Sequence, residues 1–95
     1  MKPRTITKEV FCHIFSTDGI KPISYATFFE YYVKPHLEDL GVTEREYKSY
    51  SRGLPYNLSW ALLRLHKVSE EEIEAAVRSC HRHREIYKRA MKRNI

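Results

Sequence analysis

Glycine and proline are scarce in this chain of 95 residues, three and four respectively, and cysteine occurs only twice. No apolar stretch approaches the roughly 18 residues that mark a membrane-spanning helix. With 42% hydrophobic and 31% charged residues, the composition excludes collagen-like and disordered chains and suits one globular domain, residues 1–95. The length is too short for a cofactor-binding α/β enzyme, and there is no phosphate-binding Gly loop, nucleophile elbow or His-Glu metal motif. Non-enzymatic function is therefore the expectation, with no catalytic residue and no cofactor assigned. The start, Met1-Lys2-Pro3-Arg4, leads into polar sequence rather than an apolar secretory run, so a cytoplasmic protein without a membrane partner is expected. Cys12 and Cys80 then read as reduced thiols on apolar helix faces. A zinc site from Cys12, His13, Cys80 and His83 lacks any short Cys-to-Cys spacing, and no metal ligand is assigned.

Charge is present but unevenly placed. The formal net charge is +5, yet residues 1–77 carry ten Lys or Arg against eleven acids, whereas residues 78–95 carry seven bases and one acid. Such a tail calls for an anionic partner, nucleic acid ahead of a lipid surface.

Hydrophobic periodicity predicts an all-α domain of five or six helices. Ile6, Val10, Phe11, Ile14 and Phe15 form a first helical stripe that stops at Ser16-Thr17-Asp18-Gly19. Ser24 can cap a second, whose Tyr25, Phe28, Phe29, Tyr32, Val33, Leu37 and Leu40 recur at steps of three and four. Pro35 lacks an amide donor and crowds the carbonyl of Tyr31, which favours dividing this segment near Lys34 with Pro35 in a new first turn. Gly41 ends it, and Thr43 with Glu46 forms a capping box flanked by a Val42–Tyr47 staple. That helix should run from Glu44 to about Arg52, stopped by Gly53 and Pro55, with Tyr47 and Tyr50 facing inward. Leu58, Ala61, Leu62 and Leu65 give a mostly buried helix. Ser69 and Glu72 open a last one, residues 70–93, with Glu70, Glu71, Glu72 and Glu74 at its positive end.

In the last helix Ile73, Ala76, Val77, Cys80, Tyr87 and Met91 share one face, and Arg78, Arg82, Arg89, Lys92 and Arg93 lie opposite. From Arg78 to Arg93 that basic stripe is about 22 Å long, enough to follow several phosphates. His36 and His66 read as packing residues.

Leu40-Gly41-Val42-Thr43, followed by inward Tyr47 and Tyr50 and by Arg52-Gly53, resembles the helix-turn-helix of the Cro and phage-repressor family. The resemblance extends over residues 36–65, with the helix-turn-helix-like unit at residues 36–53. It implies a second helix presented to the major groove, with Glu44, Arg45 and Lys48 facing bases and Ser49 and Arg52 nearer phosphate. The expected function is that of a small double-stranded-DNA-binding protein, a transcriptional regulator or accessory factor of a phage or mobile element. The alternative is a protein-interaction module, such as a phage-encoded inhibitor of a host protein, in which Phe28, Phe29, Tyr31, Tyr32 and Trp60 expose an apolar patch to a protein partner or to a second copy of the chain. The two diverge on whether Lys48, Arg52 and the Arg78-to-Arg93 stripe share a surface.

Overall fold

The computed structural model describes residues 6–18 and 21–93, except for the side chains of residues 87 and 90–93 in the last helix. The described residues are mostly helical and contain no strand, in keeping with an all-α domain. Helix α1 (Lys8–Ile14) starts where the Thr7 hydroxyl accepts a hydrogen bond from the Val10 amide at 3.1 Å, one of the orphan donors of a first turn. It buries Phe11 and Cys12. The following turn is closed by the Asp18 carboxylate, which accepts from the Lys21 amide at 2.9 Å.

From Ser24, whose hydroxyl caps Thr27, the helical path ends its first part at Val33 and is divided at Lys34 as expected, with Pro35 in the first turn of the next element. Helix α2 (Tyr25–Phe28) runs into a π-helical stretch at Phe29–Val33, a 3-10 turn at Lys34–His36 and then α3 (Leu37–Leu40). Pro35 lacks an amide donor and is tolerated in that first turn, and His36, at φ -120° and ψ 12°, separates it from α3. Its end is a Schellman motif: Gly41 adopts φ 73°, the Val42 amide donates to the Leu37 carbonyl at 3.3 Å, and the Gly41 amide to that of Glu38 at 3.2 Å.

Helix α4 (Glu44–Ser49) has the expected capping box, with the Glu46 amide donating to Thr43 Oγ1 at 3.0 Å and the Thr43 amide to Glu46 Oε1 at 3.4 Å. It ends three residues before the expected Arg52. Tyr50 is already extended, at ψ 117°. The reason is a non-local pairing: the Lys8 amide donates to the Arg52 carbonyl at 2.8 Å and the Leu54 amide to that of Ile6 at 3.0 Å, around a Thr7–Gly53 bridge. The Lys8 ammonium donates to the Tyr50 carbonyl at 2.5 Å. The Tyr50 and Arg52 carbonyls and the Leu54 amide are thus satisfied by residues 6–8, which competes with helical continuation.

Helix α5 (Tyr56–Leu65) crosses the core, burying Leu58, Leu62 and Leu63. Ser59, fully buried, accepts from the Ile6 amide and donates to the Leu54 carbonyl, tying the helix to that pairing. Helix α6 (Glu70–Arg93) opens on the second capping box, Ser69 with Glu72. Ile73, Ala76 and Cys80 are its buried face, set against α1. Val77, expected on that face, is 40% exposed because it lies on the flank of a narrow contact stripe. Tyr87 and Met91, expected there as well, lie outside the described side chains.

One cluster joins Ile6, Phe11, Phe28, Val33, Tyr47, Leu54, Leu62 and Ile73. His36 and His66 pack as expected, the His66 ring standing edge-on to Phe15, Tyr32 and His36 while its Nε2 meets the Tyr32 carbonyl at 2.9 Å. No helix among the described residues is long and apolar enough to cross a membrane.

Candidate nucleic-acid interface

Two exposed charged elements flank the core, one of them with as many acids as bases. The first is α4, held by its capping box and by Tyr47, whose ring is buried against Phe29 at 5.0 Å with the Lys8 ammonium 4.5 Å from its centroid. Anchoring that side chain turns Glu44, Arg45, Lys48 and Ser49 to solvent. They are not equivalent. Lys48 bends back along its helix to Glu44 at 3.8 Å and lies 5.5 Å from the Phe29 ring centre, and the Ser49 hydroxyl donates to the Glu46 carbonyl. Arg45 forms no ion pair with any described residue and is the most available cation of the helix. Arg52 is exposed but sits beyond the helix end, in the segment paired with α1.

The second element is the C-terminal half of α6. Cys80 is the last buried residue among its described side chains; every described side chain from His81 to Arg89 is exposed. Apart from the contacts of His83 and Arg84 with α1, the described side chains of this half project into solvent, with Arg82, Arg84, Lys88 and Arg89 distributed around its circumference and Glu85 as its one acid. Arg78, Arg82 and Arg89 share the side opposite the packing face, as expected, and none pairs with a described acid. Lys92 and Arg93 belong to the helix, their side chains outside the description.

Arg84, which the periodicity did not single out, is the base that turns back to the core. At 100° per residue it sits about 160° around the helix from Arg82, and its Nη2 and Nε contact Glu9 Oε2 and Oε1 at 2.6 and 3.3 Å. That two-point contact holds the Glu9 carboxyl below its ordinary pKa, against the opposing effect of partial burial. Arg84 and Arg52 line one cleft of about 390 Å³ with Thr7, Glu9 and Tyr25. The corner and the last helix thus do meet on a common surface, but through Arg52 and Arg84 rather than through the Arg78, Arg82 and Arg89 stripe.

The apolar patch of the alternative reading is not assembled. Phe28 and Phe29 are buried, Tyr32 stacks on Phe15 at 4.1 Å and Trp60 is partly buried beside Tyr56; of the five, Tyr31 alone is exposed, at 71%. The four-residue zinc set weighed from the sequence is not assembled either. Cys12 turns into the core, whereas Glu9 joins His13 and Cys80. Neither the Glu9 contact nor the turn of Arg84 has a local signal, since both depend on where α1 meets α6 along their lengths.

No family model matches the chain, and neither curated proteins nor solved structures provide a match.

Proposed function

We propose that the protein binds double-stranded DNA, as a small regulator or accessory factor of the kind its helix-turn-helix-like corner suggests. The C-terminal half of α6 is the principal phosphate-binding element in this reading, and α4 reads sequence beside it. The observation that supports it is the exposure of α6 after Cys80 with four bases and a single acid among its described side chains. A helix with its side chains is about 10–12 Å across and the major groove about 12 Å wide, so bases around its circumference can meet phosphates on both walls. The Arg52 and Arg84 cleft adds a third contact point at its root, with the Thr7 and Tyr25 hydroxyls as further donors to a phosphate oxygen. Arg45, uncommitted on α4, is the candidate for a base contact.

Binding to random duplex measured over a series of salt concentrations tests this. Each phosphate contact contributes about 0.9 to the slope of log K against log salt, so replacing Arg82, Arg89 and Arg93 together by Gln should flatten that slope by about 2 to 3. A slope unchanged by the triple substitution removes α6 from any DNA interface.

A further inference from the structure

The junction of α1 and α6 holds a second constellation, which shares Glu9 and Arg84 with the neighbouring cleft. Glu9 and His13 are one turn apart on α1, and Cys80 faces them from α6. One ligand atom from each lies within 4.8 Å of the others. His13 is 93% buried, and its Nε2 has no hydrogen-bond partner. A buried ring nitrogen left unpaired is costly, and such groups are normally satisfied by protein, water or an ion. His83, one turn beyond Cys80, stands edge-on to His13 with ring centroids 5.7 Å apart. The set is a thiol, a buried imidazole, a carboxylate and a second imidazole at the rim.

We propose that Glu9, His13 and Cys80, with His83 as fourth ligand, form a binding site for a divalent transition-metal ion of zinc type. Donor chemistry selects the ion: thiolate with imidazole favours zinc over the hard cations magnesium and calcium, which take oxygen ligands. The geometry is near what tetrahedral zinc requires. At bond lengths of about 2.0 Å to nitrogen or oxygen and 2.3 Å to sulfur, donor atoms stand roughly 3.3–3.7 Å apart and two bound imidazoles have centroids about 5 Å apart. Closing the three-donor cluster of Glu9, His13 and Cys80 takes side-chain shifts of about 1 Å, and His83, which lies outside that cluster, is exposed and has to turn to complete the set. Arg84 supports the carboxylate from outside, as partners of metal-bound groups commonly do; its 3.3 Å contact is the weaker of the two and the one an ion displaces at least cost. On binding, the Cys80 thiol gives its proton to solvent as the sulfur–metal bond forms, His13 donates a nitrogen lone pair, and no oxidation state changes. The ion ties α1 to the root of the C-terminal half of α6.

The test is titration of the full, untagged, metal-stripped chain with Co²⁺, followed by absorbance, helicity being checked for each variant. The parent should take one equivalent, giving thiolate-to-cobalt charge-transfer absorption and the intense visible bands of a tetrahedral site, and Zn²⁺ should bleach both. Cys80→Ser should abolish the charge-transfer band, His13→Gln should weaken binding by at least about 100-fold, and Cys12→Ser should leave the spectrum intact. Glu9→Gln, at the partly exposed rim, serves if the buried substitutions unfold the chain; it too should weaken Co²⁺ binding by about 10-fold or more. A parent without these bands overturns the proposal. So does charge transfer that survives Cys80→Ser or disappears with Cys12→Ser, or, where Glu9→Gln decides, affinity unchanged by that substitution.

Discussion

Replacing Tyr47 by Ala should bring the domain close to unfolding. The side chain is 4% exposed, packs against Phe29, and has the buried Lys8 ammonium over its face. Removing a buried aromatic ring costs about 3–5 kcal/mol. Loss of the cation–π contact adds about 1 kcal/mol, and Lys8 then keeps only the Tyr50 carbonyl. A domain of this size is stable by roughly 5–14 kcal/mol, so a loss of about 4–6 kcal/mol is a large share and should lower the melting temperature by about 15 °C or more. Tyr47→Phe keeps the ring and should stay within about 1 kcal/mol of the parent at neutral pH. The two should separate in alkali. Burial, with a smaller contribution from nearby Cys12 and Tyr25, raises the Tyr47 hydroxyl above its ordinary pKa of 10.0. A folded-state pKa raised in this way contributes stability that is complete below about pH 10 and is lost as pH climbs past it, by up to about 1.4 kcal/mol per unit. Tyr47→Phe lacks that loss. Urea denaturation at pH 7 and pH 11 measures both effects; a Tyr47→Ala domain within 1 kcal/mol of the parent at pH 7 would refute the placement of this ring in the core.

Further outcomes follow from single residues. Gly41→Ala meets no neighbouring atom but must hold φ 73°, so it should cost about 1–2 kcal/mol from backbone strain alone, and Thr43→Ala, which removes the cap, about 1 kcal/mol, both read by chemical denaturation. Leu54→Ala, fully buried in the segment paired with Ile6, should cost about 3 kcal/mol by the same assay, and a neutral result would mean that this pairing is not part of the stable core. Selection from randomised duplex should give a weaker motif with Arg45→Ala than with the parent, with discrimination relaxed by about 1–3 kcal/mol at one position, while Lys48→Ala changes it less because Lys48 is drawn to Glu44; identical motifs would exclude α4 as the reader.

Local chemistry made much of this architecture legible in the sequence. Both capping boxes, the Gly41 helix end and the inward Tyr47 depend on residues within five positions of one another, and each stands where the pattern put it. The early end of α4 did not show, because Gly53 and Pro55 mark where a helix must stop by, whereas the competing partner of residues 50–54 is more than forty residues away. The division at Pro35 was visible, but the π-helical stretch before it was not, because it accompanies the packing of Phe28, Phe29 and Val33 in the core. The basic face of α6 was readable from periodicity. That Arg84 turns to Glu9, and that Glu9 joins His13 and Cys80, follows from the phase at which two helices meet, which composition and spacing do not specify.

Mapping the DNA contact by amide chemical shifts tests the central claim most directly. On adding a short duplex at low salt to the isotope-labelled chain, the account expects perturbations along Arg45 to Arg52 and His81 to Arg89, with Tyr31 and the outer face of α5 unchanged. Perturbations confined to the Tyr31 side, or none at duplex concentrations that saturate non-specific DNA binders, would contradict it.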